Sequence, residues 1–306
     1  MSMLAGQYTP DNGEVALDGR CASGSNRSIN HLYNRCNVAY CPQFDALFLN
    51  KSVEDHMKFY TAIRGLDWNE SAAKEHVNAI IDLLGLKKYL DKEAKDLSGG
   101  YKRRLSLAIA LIGYPDVLLI DEVSTGIDPA ARREVWDVLK PNLNSNIIDT
   151  PAMILSSHYM DECQELGTRI GIQIDGEVTA TGTLTRLQEL YCTSYFVEIS
   201  LEQDASEETE DQLIDIFKAY NMEAESYESL PFHFKLRIPF VEGFKHGDTK
   251  QLADIFSLLE SNKQSLGIKF YAVAPMNLEQ IFIDLSRKQF ESDLKFESSR
   301  EKTNQM

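Results

Sequence analysis

The chain has 306 residues, 43% hydrophobic and 25% charged, enough for one large globular domain or two modest ones. A formal charge of −16 argues against a nucleic-acid partner, which needs clustered Lys and Arg, and against flat docking on an anionic leaflet. No apolar run approaches the ~18–20 residues of a bilayer span, Met1 to Gly13 lack a signal-peptide pattern, and five scattered cysteines suit a reducing compartment.

Up to about Tyr191, short apolar strands alternate with helical stretches, the pattern of an α/β domain. Cys36 and Cys41 have no second Cys/His pair at zinc spacing and are read as structural thiols. Ser52, with Asp55 three residues on, opens a helix expected to reach Arg64. Ala72 to Leu84 sets Val77, Ile80, Ile81 and Leu84 on one face and stops at Gly85. An apolar-periodic helix follows Leu97-Ser98-Gly99-Gly100 and runs to Ile112. Val117 to Ile120 and Met153 to Leu155 are continuous apolar runs, as expected of parallel strands buried on both faces. Asp128-Pro129 forms an N-cap and N1 pair for a helix to Leu139. Ile170 to Ile174, Asp175-Gly176 and Glu177 to Thr181 read as a hairpin with a type I′ turn.

From about Ser194 the pattern changes. Tyr195 to Ser200 alternates as a strand, and the acidic run Glu207 to Glu210 leads into a helix through Tyr220. Phe232 to Ile238 is a strand, Lys250 to Glu260 a helix and Ile268 to Ala274 a strand, a β-α-β-β-α-β order typical of ferredoxin-like α+β domains. A last helix is expected at Leu278 to Leu285, and the polar stretch Glu291 to Met306 reads as a disordered tail. The expected organisation is an α/β domain over 1–191, a ferredoxin-like domain over 192–290 and a tail over 291–306.

Ser98, Gly99 and Gly100 open a helix, where free N–H groups and the positive dipole end attract an anion; alone, the motif could equally be a plain N-cap. About two dozen residues on, a buried strand ends in Asp121-Glu122, and acids at a strand's C-terminal edge are how open α/β sheets build sites. Asp121 can hold Mg²⁺ directly or through water, and Glu122 can take a proton from attacking water. His158 stands just past another strand, where a lone histidine is more often structural.

Order and spacing bring these pieces together. Gln43 within Cys41-Pro42-Gln43-Phe44-Asp45, the Leu-Ser-Gly-Gly motif, strand-Asp-Glu, Ser124-Thr125-Gly126-Ile127-Asp128-Pro129 and strand-His resemble ABC ATPases, from Met1 to about Leu190. The resemblance implies a truncated P-loop NTPase fold with a helical subdomain, and ATP and Mg²⁺ as cofactors. It implies that Gln43 senses Mg²⁺ and the transmembrane surface, and that Asp121 is the metal-associated acid. Glu122 is then the general base, Asp128 the D-loop acid and His158 the switch histidine. Ser98, Gly99 and Gly100 would contact nucleotide held by a second ABC ATPase domain. Tyr101, Cys41 to Leu47, Ser157 to Cys163 and the ferredoxin-like addition look like the A subfamily. That implies transmembrane domains as partners, lipid as cargo and a place on the cytosolic face of a membrane.

No G-x-x-x-x-G-K-[ST] occurs, and the resemblance begins at Met3-Leu4-Ala5-Gly6, near the end of the helix that a P-loop would initiate. Thr9 to Val15 with Asp18-Gly19 looks like the stretch beyond that helix. The chain is therefore expected to be a piece of a longer transporter, inactive by itself. Two alternatives are a non-catalytic protein donating its signature helix and a soluble ABC ATPase not coupled to transport.

Overall fold

Glu14–Leu17 (β1) and Arg20–Ser23 (β2) pair antiparallel, whereas Val38–Cys41 (β3), Val117–Asp121 (β4) and Ala152–Ser156 (β5) form a parallel sheet in that order. The computed structural model describes residues 1–17, 20–23, 37–140, 151–202, 207–241 and 249–290. Asp18-Gly19, Cys36 and the expected tail lie outside them. The chain divides into two compact units, Met1–Gly167 and Thr168–Met306.

In the first unit, Val53–Ile63 (α1) starts at Ser52 with the expected reciprocal cap: Ser52 Oγ accepts from the Asp55 amide, and Asp55 accepts from the Ser52 amide. Ser71–Leu83 (α2) buries Val77, Ile80 and Ile81 and ends before Gly85, whose φ of 65° stops the helix. Gly99–Leu111 (α3) buries Leu105, Leu107 and Leu111, and Pro129–Leu139 (α4) has Asp128 as N-cap and Pro129 in its first turn. Met160–Leu166 (α5) closes the unit.

The sheet core is β4, with Leu118, Leu119 and Ile120 all buried. Burial of β5 on both faces does not hold. Ile154 is 45% exposed, and among the described residues β5 pairs only with β4, at the sheet edge.

Cys41 lies in this core, and burial pushes its thiol from 9.0 up to about 11, with Arg103 acting against and Asp45 adding to the rise. The unfolded chain ionises this thiol near 9 and the folded chain near about 11. Unfolding therefore releases a proton between those values, and stability falls as pH rises through that window. Urea midpoints at about pH 8 and about pH 10.5 should show this loss, and Cys41→Ala should remove the part of it due to Cys41.

The second unit opens with the hairpin Ile170–Ile174 (β6) and Glu177–Gly182 (β7). Asp175 and Gly176 have φ of 49° and 86°, the two left-handed positions a type I′ turn requires. Leu184–Tyr191 (α6) follows, capped by Thr183. Then come Ser194–Leu201 (β8), Glu207–Ala219 (α7), Glu225–Leu230 (β9), His233–Pro239 (β10), Thr249–Asn262 (α8) and Ile268–Pro275 (β11). Their antiparallel sheet has the order β11-β8-β10-β9, the ferredoxin-like arrangement. Val197, Ile199, Leu236, Leu213, Phe217 and Ile255 form its core. A last helix over 278–290 begins with a reciprocal cap between Asn277 and Gln280, and Asp284 accepts from Arg237 of β10 at 3.1 Å.

Candidate functional site

Strand β4 ends at Asp121, and Glu122 follows with φ of 48°, a left-handed backbone costing a non-glycine residue ~1–2 kcal/mol. Its amide donates to the Ser156 carbonyl of β5 at 3.0 Å, which anchors the turn. The side chain then gathers two donors and a nearby imidazole on one oxygen. Gln43 Nε2 donates to Glu122 Oε2 at 2.9 Å and Thr125 Oγ1 donates to it at 3.0 Å, while His158 Nδ1 lies 3.4 Å away. Gln43 follows β3, Glu122 follows β4 and His158 follows β5, so parallel register brings the ends of three adjacent strands to one carboxylate. Among the described residues none donates to Oε1.

Asp121 is turned the other way. Its two carboxylate oxygens accept from the hydroxyls of Ser156 and Tyr40, the latter at 3.1 Å. Burial pushes the Tyr40 phenol up, Ser2 partly offsets that rise, and the Asp121 carboxylate adds to it.

Ser98 caps α3, its hydroxyl accepting from the Tyr101 amide at 3.5 Å. The turn it opens packs on the loop after β4. A Cβ on Gly99 would meet the Gly126 carbonyl at 3.5 Å, and one on Gly100 would meet Ala131 Cβ at 3.5 Å. Asp128 Oδ1 accepts from the amides of Ala130 and Ala131 at 3.1 and 3.0 Å, so its carboxylate faces its own helix. The structure thus brings Gln43, Glu122 and His158 together, with Asp121 one residue away. Among the described residues Ser98, Gly99, Gly100 and Asp128 form a neighbouring set with no hydrogen bond to the Glu122 cluster.

Sequence reading missed the residues that hold this arrangement. Thr125 and Tyr40 touch the two acids directly. Glu162, fully buried on α5, accepts from the Ser124 hydroxyl and from Trp136 Nε1, the latter at 2.8 Å, and so ties the loop after β4 to α4 and α5. Arg103 on α3 donates to backbone on both sides of Glu122. Glu162 stood within the Ser157–Cys163 stretch that resembles the A subfamily, but nothing in the sequence marked it as a buried support.

A parallel sheet whose strand ends carry an amide, two acids and a histidine, beside a Ser-Gly-Gly helix start, places the first unit in the α/β class of nucleotide-binding domains. Residues 1–125 match the family described as ABC transporter. Human ATP-binding cassette sub-family A member 2 is 32% identical over 94% of this chain, and mouse glucosylceramide transporter ABCA12 is 32% identical over 94%. Human retinal-specific phospholipid-transporting ATPase ABCA4 is 33% identical over 95%. The chain spans only 11%, 10% and 12% of those three proteins' lengths. A solved ATP-binding subunit of an ABC transporter superposes with a TM-score of 0.52 at 21% identity, covering 62% of this chain and 75% of that one, a likeness of fold. The chain belongs to the ABC transporter family and is of the A-subfamily kind.

Proposed function

We propose that this chain is the ATP-hydrolysing motor portion of an A-subfamily ABC transporter, driving lipid across or within a membrane from its cytosolic face. The observation that carries this reading is the convergence of Gln43, Thr125 and His158 on Glu122 Oε2. Lipid as cargo rests on the relatives named for phospholipid and glucosylceramide.

Bound Mg-ATP would supply the phosphoryl group and the metal. The side chains present fit its water-facing and signature-facing sides. Gln43 and Thr125 fix the Glu122 carboxylate in one rotamer, leaving Oε1 to accept a proton from water. His158, on the same oxygen, would steady that carboxylate as it becomes protonated. Asp121 and Gln43 would hold the metal, Asp121 through water that its Tyr40 and Ser156 partners help to orient. Among the described residues no three His, Cys, Asp or Glu side chains are grouped to hold a metal unaided, which suits Mg²⁺ completed by phosphate and water. Ser98, Gly99 and Gly100 would serve nucleotide on a second ATPase domain, with Asp128 positioning the loop between. Phe44, Phe48 and Leu49, exposed within six residues of Gln43, and exposed Phe59, whose ring meets Phe48 edge-on at 5.4 Å, support docking of transmembrane domains there. Functionally, we assign 1–191 to the ATPase domain and 192–290 to a regulatory domain, although β6, β7 and α6 pack within the second unit.

P-loop amides and their lysine supply most of the grip on the β- and γ-phosphates, and the sequence holds no such motif. Calorimetry with Mg-ATP should therefore give no micromolar binding to the 306-residue polypeptide, and micromolar binding once a P-loop segment is joined upstream in frame. Micromolar affinity in the unextended polypeptide would overturn this division of labour.

A further inference from the structure

Arg103 sits on α3, four residues beyond Gly99, and is only 2% exposed. Its guanidinium spreads over two loops. On the β4 side Nε donates to the Val123 carbonyl at 3.0 Å, and a terminal nitrogen donates to the Asp121 carbonyl at 2.7 Å. On the β3 side the other terminal nitrogen donates to the Pro42 carbonyl and lies 3.4 Å from Asp45 Oδ1. That same carboxylate oxygen also accepts from Ser106, one turn along α3, at 2.8 Å.

The acceptors are placed around the two site residues. Asp121 and Val123 flank Glu122, Pro42 directly precedes Gln43, and Asp45 stands two residues after it. The left-handed Glu122 backbone is thus held from both neighbours by one side chain, which also holds both shoulders of the Gln43 loop. Only arginine offers five N–H donors in a rigid planar fork; the lysine ammonium is a single point that cannot reach both loops at once. A merely fold-holding cation would need one carboxylate, whereas three of these four acceptors are carbonyls or acids adjacent in sequence to Gln43 or Glu122.

We propose that Arg103 is a positioning residue that sets the Gln43 amide against the Glu122 carboxylate and passes the orientation of the Ser98–Gly100 turn to that pair. Its catalytic consequence rests on the ATPase reading above; its geometry does not.

Hydrogen–deuterium exchange on the 306-residue chain tests the geometry. In Arg103→Met and Arg103→Lys, amides of 40–47 and 121–127 should exchange about tenfold faster, with α2 and the second unit unchanged. Asp45→Asn should loosen 40–47 alone, and it answers for the strut if Arg103→Met does not fold. Uniform acceleration across the first unit, or none, would overturn the proposal. In the chain joined to an upstream P-loop segment, both Arg103 variants should lower kcat ~10²-fold, as a misplaced reacting group does, with Mg-ATP affinity little changed. Rescue of kcat by lysine would reduce Arg103 to a buried charge and also overturn it, as would unchanged kcat with both loops loosened. If the unmodified extended chain hydrolyses nothing, the ATPase reading fails, and the exchange result still decides for or against the strut.

Discussion

Replacing Glu122 with Gln, in the chain joined to an upstream P-loop segment, is expected to lower turnover by ~10²–10⁴-fold while Mg-ATP binding stays intact. The two side chains are nearly isosteric. A glutamine carbonyl can still accept from Gln43 and Thr125, so the loop geometry should persist. What disappears is the carboxylate that can hold water's proton. A loss of binding together with turnover would assign Glu122 to nucleotide affinity instead, and turnover close to that of the parent would remove it from the chemistry. His158→Ala should have a smaller effect, because its ring is half-exposed and lies 3.4 Å from the carboxylate.

The second large effect concerns stability. Phe217 is fully buried on α7 against Val197, Leu236 and Ile255, and Phe217→Ala should destabilise the second unit by ~3–5 kcal/mol. The loss combines removed apolar burial with a cavity that the facing sheet cannot collapse into. Both tryptophans of the chain, Trp68 and Trp136, belong to the first unit, so tryptophan emission follows that unit alone. The expected result is an earlier transition by circular dichroism with the tryptophan transition unmoved. An equal shift in both signals would mean that the two units unfold as one.

Much of the fold was legible because its signals are local. Ser52 with Asp55, Asp128 with Pro129 and Asp175 with Gly176 each state a cap or turn within four residues, and each is present. The ferredoxin-like order followed from alternation in β8 and β10, whose inward residues are buried. Strand β9 carried no such signal: Glu225–Leu230 is exposed at every position, and its charges suit an open sheet edge. The exposure of Ile154 was equally hidden, since an apolar run does not say how much of each face will be covered.

The candidate site divides in the same way. The acids, amide, histidine and Ser-Gly-Gly turn were readable as motifs in order. Their supports were not, because those act across long sequence separations. Arg103 reaches Pro42 and Asp45, and Glu122 sits in a left-handed conformation that no neighbouring glycine announces. Composition offers no reason to separate Arg103 from Lys102 or Arg104, although Arg104 instead pairs with Glu134 and lies over the Tyr101 ring.

In the proposed motor Glu122 serves nucleotide held on its own domain and Ser98 serves nucleotide held by a second ATPase domain, a part that another copy of the extended chain can take. This central claim is tested most directly by mixing two inactive variants of the extended chain, Glu122→Gln and Ser98→Arg, and measuring phosphate release. In a mixed pair one site carries both defects and the other carries neither. ATPase activity should therefore reappear on mixing, though neither variant shows it alone. No recovery at any ratio, with both variants folded and pairing, would contradict a site built from the Glu122 cluster of one copy and the Ser98–Gly100 turn of its partner.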